Sequence, residues 1–336
     1  MSNYKTRQKE YALTKRAELC SGDSGNGKFR RKEYPFVLQN ASHNLFADIC
    51  KDAIKYFNKQ GIGFWCSSGK SDIEGEKLNL PTGHMLSSQV ACINHLFKLR
   101  NDGHGATALL KGLDRNISEA LLVNINDTDD SQGYVEFEAI GGGSYLNEGV
   151  MLKRGANCTS LDALMRGGTK SGAVVLFLIE WKYVEKYIYV QTKWTGDGGE
   201  TRQKRYCSFF SKDGSPFTFC NNDCDEDFFK WLFCEPYYQL MRQTLLGWQM
   251  IHNGKANGNA SEFQHIHVIP QHNHELLKKS QSKPGENISG LEDTWKSCLR
   301  ERERYRIIDP KDLLAPLQQF ESYAELLKYL EKRYWT

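Results

Sequence analysis

The chain has 336 residues, of which 40% are hydrophobic and 25% charged, with a net charge of only +3. That length suffices for one or two domains with a substantial core, and the charge balance neither demands nor excludes a nucleic-acid partner. No uncharged apolar stretch is long enough to span a bilayer as a helix, so a membrane partner is not expected.

The opening Met1-Ser2-Asn3-Tyr4-Lys5 lacks the apolar centre of a secretory signal, and a cytoplasmic location is expected. Ten cysteines at irregular spacing make no disulfide framework and are expected as reduced thiols. Residues 1–32 carry nine Lys or Arg against three acids, including Lys28, Arg30, Arg31 and Lys32. This composition reads as a basic, flexible arm over 1–40, either solvated or facing phosphates. Gly22-Asp23-Ser24-Gly25-Asn26-Gly27-Lys28 has phosphate-loop spacing, but Phe29 stands where a Ser or Thr is needed and no apolar strand precedes it. A glycine-rich turn explains the string better.

Helical spacing of Leu45, Ile49, Ala53 and Phe57 predicts a helix over 44–60, and Val90, Ile93 and Leu96 predict another over 86–100. Together they suggest an N-terminal helical layer spanning 41–115. Strands are predicted over 119–125 and 134–140, with a Gly141-Gly142-Gly143 break after the second. Glu136 and Glu138 share one face of that second strand if it alternates regularly, which suggests solvated carboxylates.

The apolar run Ala173-Val174-Val175-Leu176-Phe177-Leu178-Ile179 reads as a buried strand ending in Glu180-Trp181-Lys182. Alternation puts Glu180 and Lys182 on one face and Trp181 on the other. Asp162 lies eighteen residues ahead of Glu180. Two carboxylates and a lysine that converge there suit a hard cation such as Mg2+ beside a phosphate, with Lys182 steering a water.

Thr159-Ser160-Leu161-Asp162-Ala163 and Ile179-Glu180-Trp181-Lys182 resemble the PD-(D/E)xK nuclease superfamily, with Leu161 in place of the superfamily's proline. More narrowly, the chain resembles its restriction endonuclease branch through Ser87-Ser88-Gln89, Arg154-Gly155-Ala156-Asn157, Tyr183-Val184-Glu185 and Gln239-Leu240-Met241-Arg242-Gln243. The resemblance implies an α/β (α+β) fold with a restriction-endonuclease-like αβββαβ core and a mixed sheet. It also implies Asp162 at the second strand, Glu180 and Lys182 on the third, and Mg2+-dependent phosphodiester hydrolysis, with Mn2+ as a substitute. Asp162, Glu180 and the Trp181 backbone carbonyl would ligate the metal, and Lys182 would position or activate water.

The core would run over 116–270, with an insertion at about 183–230 rich in Gly, Lys and aromatic residues. Pro236 opens a predicted helix to about Met250, with Gln239 and Gln243 on one face. His265-Ile266-His267-Val268-Ile269-Pro270 reads as a strand. Residues 271–336 read as a helical tail in which Leu326, Leu327, Leu330 and Tyr334 form a core stripe. Asp309-Pro310-Lys311 reads as a loop.

Secondary candidates follow from position. Glu148 either extends the metal site or is a turn carboxylate. Glu185 could orient Lys182 or a basic side chain. Gln89, Gln239, Arg202, Lys204 and Arg205 are candidates for contacting DNA. Cys220, Cys224, His265 and His267 make a zinc set only if the fold gathers them.

The expected function is that of a Mg2+-dependent DNA endonuclease with restriction-like action, with a repair or RNA-processing nuclease of the same fold as an alternative. The alternatives are a catalytically silent DNA-binding protein and a zinc-stabilised adaptor. Double-stranded DNA is the expected partner. A homodimer and a cognate methyltransferase follow from the presumed substrate alone.

Overall fold

The computed structural model describes residues 3–149, 152–155, 158–187, 191–220, 224–278, 283–285 and 290–335. In chain order the helices are α1 (Tyr4–Leu19), α2 (Ala47–Lys59), α3 (Ser88–Leu96), α4 (Gly103–Leu113), α5 (Gly199–Tyr206), α6 (Glu226–Leu232), α7 (Tyr237–His252), α8 (His274–Leu277), α9 (Leu291–Ser297), α10 (Pro310–Leu314) and α11 (Ala324–Tyr334). The strands are β1 (Gly27–Phe29), β2 (Lys32–Tyr34), β3 (Lys70–Ile73), β4 (Glu76–Asn79), β5 (Ile117–Leu121), β6 (Glu136–Ala139), β7 (Leu161–Thr169), β8 (Val174–Trp181), β9 (Glu262–Val268) and β10 (Tyr305–Ile308).

Six strands form one mixed sheet in the order β10-β9-β8-β7-β5, and β6 joins the same edge of β7 beyond β5. β7 and β8 are antiparallel, whereas β8, β9 and β10 run parallel. β8 is apolar from Val174 to Ile179 because helices cover both of its faces. Val175, Phe177, Ile179 and Trp181 join the core built on α2, α3 and α4, while Leu176 and Leu178 join the core around α7. Truncating such a side chain to alanine costs on the order of 2–5 kcal/mol, since the surroundings close only partly around the void.

α7 lies unusually near the sheet at Gly247, where a Cβ would meet Leu178 Cδ2 at 2.6 Å and Phe263 Cδ2 at 2.9 Å. That close approach carries Gln239 and Gln243, further toward the start of α7, to the end of β8.

Several sequence expectations change. The basic segment 1–40 is not a flexible arm over its described length: α1 packs on α11, burying Tyr4, Gln8 and Ala12, and β1–β2 form a hairpin. Its i, i+4, i+8 stripe is partly polar, which hides the helix from a hydrophobic pattern. The glycine-rich string is a turn held by the Asp23 carboxylate, which accepts the Gly25 and Asn40 N–H groups at 2.7 and 2.9 Å. The region after 271 is not wholly helical, because β10 extends the sheet. Asp309 caps α10 by accepting from the Lys311 N–H at 2.8 Å. Leu326, Leu330 and Tyr334 do lie in the core. Among the described residues no helix is long and apolar enough to cross a membrane.

Candidate active site

β7 and β8 pair as far as Ala163 and Ile179, and beyond that pair the Asp162 Oδ2 accepts the Trp181 N–H at 2.7 Å. Trp181 turns inward against His95 of α3, with ring centroids 4.5 Å apart. Glu180 and Lys182 face α7 instead. The Lys182 ammonium lies 2.6 Å from Glu180 Oε1 and donates to Gln239 Oε1 at 2.7 Å. Gln239 Nε2 donates to the same Glu180 oxygen at 2.7 Å, and Gln243 Nε2 donates to Glu180 Oε2. Two amides one helical turn apart thus hold one carboxylate.

A third acid joins from β6. Glu138 has a left-handed φ of 49°, uncommon for a residue with a side chain, and the strand pairing skips from Phe137 to Ala139. Its carboxylate accepts from Gln89 Nε2 at 2.8 Å and from Ser160 Oγ at 3.0 Å. Neither Glu138 nor Glu136 is solvated, and they serve different surroundings. Glu136 is fully buried and accepts the N–H groups of Ile125, Asn126 and Asp127 at 2.9, 3.0 and 3.1 Å.

Asp162 and Glu138 open onto a cleft of about 530 Å³ lined also by Trp65, Ser88, Gln89, Lys153, Arg154 and Glu185. A larger groove of about 730 Å³ runs beside α2, but its Asp130 is already paired with Lys59 at 2.7 Å.

The electrostatics of the cleft are unbalanced. Burial pushes the Asp162 carboxyl well above the ordinary carboxylate range, and Glu180 and Glu138 push it further; Lys182 and the Trp181 N–H oppose them. Burial likewise raises the Glu138 carboxyl, against the hydrogen bonds from Gln89 and Ser160. For Lys182, burial favours the neutral amine, yet Glu180 and its neighbours outweigh burial and the ammonium is held well above its usual range.

Behind the cleft lies a second charged cluster. Asp127 accepts from Arg100 Nη1 at 2.9 Å and Arg154 Nη1 at 2.7 Å, while the Tyr56 hydroxyl donates to it at 2.8 Å. Arg154 also donates to the Phe137 carbonyl, which ties this cluster to the strand that carries Glu138.

The family described as restriction endonuclease associating with ARP matches residues 8–335, nearly the whole chain. The chain belongs to that family. No curated protein and no solved structure matches it. Membership in this restriction endonuclease family gives the chain a nuclease-like role.

Within this family member the remaining candidates are placed as follows. Gln239 holds both Lys182 and Glu180, and Gln89 holds Glu138. Glu185 accepts from Ser88 Oγ at 2.6 Å and from the Tyr183 N–H at 2.7 Å. Glu148 is not brought to the cleft: Thr159 and Tyr206 hold it through hydroxyl donations at 2.6 and 2.7 Å. Glu138 stands where a third acid was sought.

Arg202, Lys204 and Arg205 lie on α5, outside the residues lining the cleft. Arg202 donates to the Lys193 and Asp197 carbonyls, each at 3.1 Å. Ala156 and Asn157 of the longer resemblance, and the three residues between Cys220 and Cys224, lie outside the described residues. His265 and His267 are buried on β9 against Gln243 and Tyr305, at 3.1 and 2.9 Å. Among the described residues no group of three or more His, Cys, Asp or Glu forms a metal cage.

Sequence reasoning missed Glu138, Gln243 as a carboxylate clamp, and the Asp127 cluster. The Gln239 to Gln243 spacing held a signal for the second of these. Nothing local in the sequence marks the left-handed φ of Glu138.

Proposed function

We propose that this protein is a Mg2+-dependent DNA endonuclease with restriction-like action, working through Asp162, Glu180 and Lys182. The observation that carries this reading is the meeting of those three side chains at the adjoining ends of β7 and β8, with Asp162 opening onto a cleft. The chain order supports it as well. With α4, β5, α5 and α6 as additions, α3-β6-β7-β8-α7-β9 follows an αβββαβ order, with β9 parallel to β8.

The donor set fits the metal. All the candidate ligands are oxygens, from Asp162, Glu180 and the Trp181 carbonyl, and Glu138 adds negative charge beside them. Mg2+ needs only one or two carboxylates because it usually keeps several waters, so a cage of three acids is not required. When bound, the ion would polarise a phosphoryl oxygen and lower the pKa of a coordinated water.

The chain's own groups then have distinct tasks. Gln239 and Gln243 fix the Glu180 carboxylate, while the Trp181 N–H fixes Asp162. Lys182, held as an ammonium by Glu180, is suited to orienting water and stabilising charge that develops on phosphate, rather than to removing a proton at neutral pH.

The test is cleavage of plasmid and genomic DNA by purified protein with Mg2+ or EDTA, beside Asp162→Ala and Lys182→Ala. Discrete metal-dependent fragments, reduced at least about a hundredfold in both variants, are expected. Undiminished cleavage by Asp162→Ala would overturn the assignment.

A further inference from the structure

Trp65 and Leu122 are the large apolar side chains that the described residues leave exposed, and Trp65 is 46% exposed in the wall of the cleft that holds Asp162 and Glu138. Scattered exposed apolar residues need no explanation, but this one sits on a built support. The preceding Phe64 is buried and stacks on Phe57 of α2, with centroids 4.6 Å apart and planes 7° from parallel. The Trp65 N–H donates to Gln89 Oε1 at 2.9 Å, and the other end of that amide donates to Glu138 at 2.8 Å. One glutamine therefore sets the position of the indole backbone relative to a carboxylate of the cleft.

The surroundings are aromatic and basic. Phe29 lies 5.5 Å from the Trp65 ring and His84 lies 6.3 Å from it. Phe29 belongs to the β1–β2 hairpin, whose exposed Lys28, Arg30, Arg31 and Lys32 surround it, and the Arg30 guanidinium stands 5.4 Å over its ring. Exposed Lys153 lines the cleft itself. An exposed ring with cations alongside is the arrangement that binds unpaired nucleotides: the ring takes a base face, whatever the base, and the cations follow the backbone. A paired duplex hides its base faces everywhere but at its ends and offers such a ring far less to stack on.

We propose that Trp65 is a stacking platform for an unpaired nucleobase whose neighbouring phosphate enters the cleft of Asp162 and Glu138. This deepens the nuclease reading and rests on it. The base comes either from a single strand or from a nucleotide extruded from a duplex, and both present the same free π-face.

The test is fluorescence anisotropy in Mg2+-free buffer at fixed salt, using a labelled single strand, the same sequence as a blunt duplex, and that duplex with one bulged nucleotide. Trp65→Ala is expected to weaken binding of the single strand, the bulged duplex or both by roughly 5- to 100-fold, with less than a twofold change on the blunt duplex. Trp65→Phe is expected to restore most of the loss, since it keeps a ring. Loss on the single strand alone or on the bulged duplex alone identifies the source of the base. Equal losses on all three probes, no loss on any, or no binding by the unaltered protein would overturn the proposal. Cleavage with Mg2+ by the unaltered protein and by Asp162→Asn, run in parallel, answers separately for the nuclease reading: if the unaltered protein does not cut, that reading fails whatever Trp65 does, and if the variant cuts equally well, the assignment of Asp162 fails.

Discussion

Two charged clusters lie on either side of β6, and they are built on opposite principles. Around Asp127, two acids (Asp127 and Glu136) meet two arginines (Arg100 and Arg154), every partner is buried, and each carboxylate accepts several donors. Around Asp162, three acids (Asp162, Glu180 and Glu138) share Lys182 and the more distant charge of Arg154, and Asp162 and Glu138 line a cleft. The first balances its formal charges, as a buried structural cluster must to repay their desolvation. The second gathers more acids than bases, which costs stability once they ionise and marks it as a candidate functional site.

The comparison can be broken most forcefully at Asp127. Asp127→Ala leaves two buried guanidinium groups without their carboxylate and is expected to cost about 3–5 kcal/mol, read from urea unfolding. A loss under 1 kcal/mol would show that the charge-balanced cluster is not structural.

The open cluster should respond in the opposite direction. The native state holds the Asp162 proton more tightly than the unfolded chain does. Stability is therefore lost as pH rises from the ordinary carboxylate range through the raised native value, and the penalty is complete above it. Asp162→Asn removes that penalty while keeping an acceptor for the Trp181 N–H. In metal-free protein its melting temperature should exceed that of the unaltered chain by about 2–4 °C at pH 8, with the gain shrinking toward pH 4. A gain that is the same at both pH values would contradict the electrostatic account.

The smallest effect sets the baseline. Lys204 and Glu200 on α5 are an exposed pair 4.0 Å apart, and Lys204→Ala should leave the unfolding midpoint unchanged within error.

What was legible in the sequence follows the same division. β8 could be read because a strand covered on both faces is apolar without interruption, and its polar end, Glu180-Trp181-Lys182, then stands out. α7 and β9 were legible from Pro236 and from the β-branched run near Val268. Glu138 was not, because its carboxylate reaches the cleft through one left-handed residue that breaks the alternation on which the solvated reading relied. β10 has only four residues, two of them adjacent isoleucines, and is recognisable as a strand mainly through its pairing with β9. The Asp127 cluster joins residues from 56 to 154 in the chain, and no local pattern encodes contacts so far apart.

The Gln243 amide has one further consequence. Its nitrogen faces the Glu180 carboxylate and the Ser160 carbonyl, both of which can only accept, so its oxygen must face the His265 ring. That oxygen can only accept in turn, which places the proton of the neutral His265 imidazole on Nε2. The tautomer of a histidine inside the sheet is thereby set by a carboxylate at its edge, and nitrogen chemical shifts of that ring would register any rearrangement that draws Glu180 away from Gln243.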